Sequence, residues 1–229
     1  MEQYISEILP EKRIIEVANS YKNSIDSIKA RINEFIDVLS VQETQLFLNK
    51  EGRVVMQTPH YSPSQNAISM DERVDNYEYT EAWKHEIGHF VDHQMGWPSH
   101  GNQFENAIET DMESFTKNVG RAKLCDMLEE LESSDALDSR HVSDIFSGLF
   151  YDKSNIRITI EQTYYKLGAA FYRHKNSYWN GTAGPQKAVE GEIFANLFAI
   201  YTENNQETVR FMEKWFPKIT DGFKQILEN

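Results

Sequence analysis

Downstream of Pro10 the apolar positions Ile14, Ile15, Val17, Ile25, Ile28, Ile32, Phe35, Ile36 and Leu39 recur at the spacing of one helix face. That pattern predicts one or two amphipathic helices over about 10–40, packed on a core supplied from downstream. The period then shortens. Residues 44–48 and 54–57 are short apolar runs around Asn49-Lys50-Glu51-Gly52-Arg53, whose glycine suits a hairpin turn. Residues 66–70 read as a third strand, followed by a polar loop to Tyr79. Thr80 then fits the N-cap of a helix over 81–94, with Glu81 in its first turn and Gly96-Trp97-Pro98 as the stop. Beyond it the spacing predicts helices at about 103–118, 121–132, 139–149, 159–172 and 186–203. A last helix runs from about 206 onward and is interrupted near Pro217. Gly181-Thr182-Ala183-Gly184-Pro185 is the clearest loop. No repeat, low-complexity segment or linker divides the chain, so the expectation is one α+β domain: a small sheet of three or four strands, a central helix and a mostly helical second half.

Composition narrows the function classes. The 229 residues suit one domain, and 40% hydrophobic with 26% charged residues can bury a core. A net charge of −13 would repel a phosphate backbone, which argues against a nucleic-acid partner. No apolar run approaches the roughly 18 residues of a membrane helix. The start Met1-Glu2-Gln3-Tyr4-Ile5-Ser6-Glu7 lacks the basic and apolar parts of a signal peptide, so a cytoplasmic protein is expected. Cys125 is the only cysteine, which leaves neither an intrachain disulfide nor a thiolate zinc cluster. Its helical apolar surroundings predict a small core residue.

The chemistry is concentrated in His85-Glu86-Ile87-Gly88-His89. Residues four apart on a helix share a face, so both imidazoles can converge on one tetrahedral ion, and zinc accepts such nitrogen ligands. Glu86 projects about 100° around the helix from His85. That is too far to join the same ligand face but near enough to act as general base on a zinc-acidified water. Apolar Trp83, Ile87, Phe90 and Val91 surround the site. Gly88, costly inside a helix, predicts that another backbone or a ligand comes close there. His93 lies about 12 Å along the axis from His85, beyond a shared ion. The better third ligand is Glu192, which shares a small-residue face with Ala188, Ala195, Asn196 and Ala199, whereas its rival Glu190 aligns with bulky Val189, Ile193, Leu197 and Ile200.

The strings His85-Glu86-Ile87-Gly88-His89-Phe90-Val91-Asp92 and Glu190-Gly191-Glu192-Ile193-Phe194-Ala195 resemble the gluzincin peptidases, the catalytic domain of anthrax lethal factor among them. They also resemble zincin-like domains of phage head (minor capsid) proteins, where a segment similar to His174-Lys175-Asn176-Ser177-Tyr178-Trp179 precedes the glutamate helix. The resemblance runs loosely over residues 60–205. It implies a zincin-like fold and a zinc-dependent endopeptidase, with His85, His89 and Glu192 as ligands, Glu86 as base and a tyrosine, here Tyr178, as oxyanion donor. Substrates would be peptides or proteins, with residues 66–70 as the edge strand that pairs with them, and a phage or host protein as partner, in the cytoplasm or on the virion. The other readings are a phage structural or assembly domain whose zinc serves folding or has lost turnover, and a regulatory protease or toxin acting on one host protein. The chain departs from the toxin in a longer stretch before Glu192, which implies a helical insertion at about 103–172, and in Asn196, where the toxin has a second glutamate. Tyr178 is either the oxyanion donor or a core aromatic. His174 either assists it or sits at a helix end, and Asp92 either orients His89 or is a solvated helix-end acid. His60, His100 and His141 have no partner in this reading.

Overall fold

The computed structural model describes residues 9–48, 51, 53–56, 58–117, 120–172, 174, 176–179 and 188–229. The amino-terminal residues 1–7 read for a signal peptide, the turn residues Asn49, Lys50 and Gly52, and the loop at 181–185 lie outside the described residues.

The amino-terminal pattern forms two helices, α1 (Glu11–Ser20) and α2 (Asp26–Phe35), which bury Val17, Ile28 and Ile32. Ile15 breaks the pattern: it is 70% exposed on the outward side of α1. Buried Arg13 fastens α1 to the chain ahead of the histidine helix. Its guanidinium donates to the carbonyls of Glu72 (3.1 Å) and Val74 (2.7 Å) and to Asn76 Oδ1, and it lies 4.3 Å over the Tyr79 ring.

Five short strands follow: β1 (Ser40–Glu43), β2 (Leu46–Leu48), β3 (Val54–Met56), β4 (His60–Ser62) and β5 (Ala67–Met70). β2 and β3 form the expected antiparallel hairpin, but as a separate two-stranded sheet. The three-stranded sheet has the order β1-β5-β4, with β5 parallel to β1 and antiparallel to β4. The strand expected at the edge, residues 66–70, is therefore the central one, buried along its length. The edge is β4. Three residues are too few to show an alternating pattern, and β1 is largely solvent-facing, so neither was visible as a strand.

Helix α3 (Asn76–Gln94) carries the histidines and starts earlier than Thr80 suggested. Asp75 is its N-cap, its carboxylate accepting from the Glu78 N–H at 2.8 Å, and Thr80 lies inside the helix. The stop is as expected: Gly96 (φ 82°) and Trp97 (φ 63°) take left-handed conformations before Pro98. The rest is helical: α4 (Asn102–Thr116), α5 (Gly120–Glu132), α6 (Arg140–Leu149), α7 (Ser154–Lys166), α8 (Asn176–Trp179), α9 (Ala188–Glu203), α10 (Gln206–Trp215) and α11 (Pro217–Glu228). Pro217 opens α11 rather than interrupting a helix, since its missing N–H costs nothing at a first turn. Helix α7 sits ahead of its predicted range because Gly168 (φ 72°) ends it. Cys125 is exposed and not a core residue: α5 buries Leu124, Met127, Leu128 and Leu131, which leaves position 125 outward.

Helix α9 is the centre of the core, buried from Gly191 to Thr202, as expected for a helix apolar on most of its circumference. It presses against α3 at Gly88. A Cβ built there would stand 2.7 Å from Ala195 Cα and 3.0 Å from both Ala195 O and Phe198 Cβ. Another backbone does come close, and only glycine leaves room for it. Among the described residues no helix is long and apolar enough to cross a membrane.

Gly88→Ala should lower the unfolding free energy in urea by about 1–3 kcal/mol, because overpacking against backbone outweighs a propensity gain of roughly 1 kcal/mol. Gly191→Ala is the control. A Cβ there meets only His100 Nε2, at 3.5 Å, so the substitution should be neutral or stabilising by up to about 1 kcal/mol. Equal stability of the two variants would contradict the close approach.

Candidate metal centre

The α3–α9 approach faces His85 and His89 toward Glu192. His85 Nε2 lies 3.1 Å from His89 Nε2 and 3.2 Å from Glu192 Oε2, and His89 Nε2 lies 3.4 Å from Glu192 Oε1. Ligands held about 2.0–2.1 Å from a tetrahedral zinc are spaced by about 3.3–3.4 Å, so each of these separations is close to a tetrahedral edge, with His85 and His89 reaching different oxygens of the one Glu192 carboxylate. Glu192 is buried, while both imidazole side chains keep 17% exposure, which leaves the remaining side of the cluster accessible.

The surrounding hydrogen bonds decide which ring nitrogens are available. Asn196 Nδ2 donates to Asp144 Oδ2 and to the Glu192 carbonyl, each at 3.0 Å, so its Oδ1 is the acceptor. His85 Nδ1, 3.1 Å away, donates to that oxygen, and the His85 lone pair is left on Nε2. This nitrogen and Glu192 Oε2 are then two acceptors facing each other. Glu192 Oε2 is buried without a hydrogen-bond partner among the described residues. Two lone pairs at this distance repel unless a proton or a metal ion lies between them. The donor set of two imidazoles and a carboxylate fits zinc.

The protons in this metal-free arrangement follow the same logic. Burial opposes a charge on His89, but the Glu192 carboxylate, with Glu86 and Asp92 behind it, raises the imidazole to about 9. Burial would raise Glu192, yet the charged His89 beside it holds it well below the ordinary carboxylate range. A bound ion would replace protons here, so affinity should fall with acid pH.

The position left open by the sequence at Asn196 is now filled: it orients His85 in place of a carboxylate. Behind it stands His141, which the sequence reading passed over. His141 Nδ1 donates to the same Asn196 Oδ1 (2.9 Å) and Nε2 to Glu81 Oε2 (2.9 Å), with its ring stacked on His85 at 6.2 Å. Glu81 in turn pairs with buried Lys84. Burial would raise Glu81, but His141 and Lys84 bring it down to about 2. One signal was available: His141 shares the buried face of α6 with Ile145 and Leu149 at four-residue spacing, which marks a buried polar group in need of partners.

Glu86 stays out of the cluster. Its Oε2 accepts the Tyr61 N–H of β4 at 2.8 Å. His93 points to β4, where its Nδ1 lies 2.7 Å from the Tyr61 hydroxyl, and Glu190 is half-buried and outside the cluster. Tyr178 on α8 donates its phenol hydrogen to Glu192 Oε1. Burial and then Glu192 push the phenol upward, so it remains a neutral donor. The core aromatic of this pair is Trp179, packed over Gly148, while Tyr178 is 38% exposed beside the donors. His174 stacks on Tyr178 at 4.1 Å, with Nε2 3.6 Å from Asp144 Oδ2. Asp92 follows neither expectation. It is fully buried and accepts from the Ser99 N–H (3.0 Å) and hydroxyl (2.5 Å), fastening the turn after α3.

No protein-family model matches the chain, and no curated protein or solved structure matches it significantly.

Asn196→Ala should weaken zinc binding about 10–100-fold, the usual cost of removing a ligand's orienting partner, as read by competition with a chelating dye. The depressed Glu81 carboxyl contributes stability above about pH 4.5 that is lost as pH falls toward about 2. Metal-free protein should therefore lose roughly 3 kcal/mol more over that interval than Glu81→Gln does in parallel urea titrations. Identical acid slopes would contradict the pairing.

Proposed function

We propose that the chain is a zinc-dependent endopeptidase with a zincin-like fold and a gluzincin site, holding zinc through His85, His89 and Glu192. The observation that carries this reading is the convergence of His85, His89 and Glu192 at 3.1–3.4 Å, close to the ligand spacing of a tetrahedral zinc, while Glu86 is held apart by a backbone N–H instead of joining them. Zinc there supplies a Lewis acid that acidifies water and polarises a carbonyl.

The protein's own groups account for the remaining steps. Glu86, anchored through Oε2, takes a proton from water with its other oxygen as the water oxygen attacks the peptide carbon. It then returns that proton to the amide nitrogen as the C–N bond breaks. Tyr178 is placed to move its hydrogen bond from Glu192 to the developing oxyanion, and its neutral phenol keeps the proton needed for that bond. His174, stacked against the phenol, steadies the ring. The Tyr61 N–H turns the outer edge of β4 toward Glu86, so an extended peptide lies along β4, not along β5. The acidic chain favours neutral or basic segments, from a phage or host protein in the cytoplasm or virion.

Protein purified without chelator should carry about one tightly bound zinc, lost in His85→Ala/His89→Ala. Glu86→Gln should keep that zinc and the fold while hydrolysis of a peptide library falls by about 10²–10⁴-fold. Tyr178→Phe should lower kcat by about 10²-fold with KM little changed. If Glu86→Gln is indistinguishable from a wild type that cleaves, the base assignment fails. If neither cleaves any peptide, the reading gives way to a structural or assembly domain with a non-catalytic zinc.

A further inference from the structure

Glu192 belongs to a second convergence of donors. Asp144 on α6, His174 ahead of α8 and Glu192 each offer one ligand atom, and the three atoms lie within 4.8 Å of one another. His174 Nε2 and Asp144 Oδ2, at 3.6 Å, are already near the roughly 3.3 Å edge of a tetrahedral site. Even the widest separation this allows needs to close by only about 1.5 Å to match that edge, a movement within reach of two side chains.

Two oxygens in this group are left over by the protein's own hydrogen bonds. Asn196 Nδ2 donates to Asp144 Oδ2, but Asp144 Oδ1 is buried with no hydrogen-bond partner among the described residues, in a residue only 8% exposed. Glu192 Oε2 is in the same condition. One ion at the His85–His89 face satisfies Glu192 but not Asp144, whose other oxygen lies 3.6 Å from His174 Nε2. A buried carboxylate oxygen without a donor is costly unless a cation faces it.

We propose that Asp144, His174 and Glu192 form a second divalent-cation site, with Glu192 as the carboxylate shared between two ions. One imidazole and two carboxylates suit zinc or manganese. A shared carboxylate places the two ions about 3.5–4 Å apart. The proposal rests on the peptidase reading only for the neighbouring ion. Its own donors come from α6, α9 and the approach to α8, none of them on the histidine helix.

The test counts metal on the full chain, stripped and then dialysed against graded free zinc and, separately, manganese. Wild type should reach two equivalents. His174→Ala and Asp144→Asn should each stop at one, and His85→Ala/His89→Ala should lose the other. Asp144→Asn can still accept from Asn196 Nδ2, so that variant keeps the hydrogen bond that holds the core together. Cobalt gives a readout that needs no variant. Two ions sharing a carboxylate couple magnetically, so the second equivalent should attenuate the paramagnetic resonance signal of the first, whereas a distant ion simply adds its own. Saturation at one equivalent, or a second equivalent kept by His174→Ala with additive cobalt signals, would overturn the proposal and mark that ion as one held by surface carboxylates. A chain that binds no metal would overturn the peptidase reading too. A single equivalent lost with His85 and His89 would leave that reading standing and remove only the second site.

Discussion

Two histidines one turn apart supply only two donors, and the third has to come from a different element whose backbone lies within the reach of a glutamate side chain. Here that distance is set by Gly88. Its hydrogen occupies the space where any Cβ would meet the Ala195 backbone, so α9 can lie directly on α3. Everything else at the site follows from that contact. Glu192 and Asn196, one turn apart on α9, come down on either side of His85: one faces its Nε2, and the other accepts from its Nδ1. The small residues of α9 permit the approach, and the bulky ones on its remaining faces anchor it in the core.

Such closeness brings charges into a buried region, and the fold answers with hydrogen bonds instead of solvent. From Lys84 through Glu81, His141 and Asn196 to His85, each group faces one of opposite character. The chain begins on α3, crosses to α6 and α9, and returns to α3, so the imidazole is oriented by the same three helices that form the core. Burying ionic groups in this way is expensive when any partner is missing. The complete network therefore fixes the ring's tautomer as well as its position. Beside this network, one oxygen each of Glu192 and Asp144 is buried without a hydrogen-bond partner among the described residues, at the place where a cation fits.

The helices, and the face of α9 that meets α3, were legible because they rest on local periodicity and on the one-turn repeat of the histidines. The close approach at Gly88 was legible too, since a glycine in mid-helix needs a reason. The N-cap was misplaced because Thr80 is a good cap in isolation, while Asp75 followed by Glu78 three residues on is the stronger pattern. The sheet order was not readable: β1 and β4 are too short and too polar to announce themselves, so β5 looked like an edge. His141 and Asp144 escaped for another reason. Their partners, Glu81, Asn196 and His174, lie far along the sequence, and the four-residue spacing of His141 with Ile145 and Leu149 marks burial without naming them.

The central claim is that two imidazoles and one carboxylate hold a single tightly bound ion with a position left open. X-ray absorption at the zinc edge, on the full chain loaded with one equivalent, tests it directly. Two imidazoles and one carboxylate oxygen at about 2.0–2.2 Å, with one further light ligand that exchanges with solvent, is the predicted environment. Glu192→Ala should change it by loss of the carboxylate. A third imidazole, a sulfur ligand at about 2.3 Å from Cys125, or a spectrum indifferent to Glu192→Ala would contradict the account.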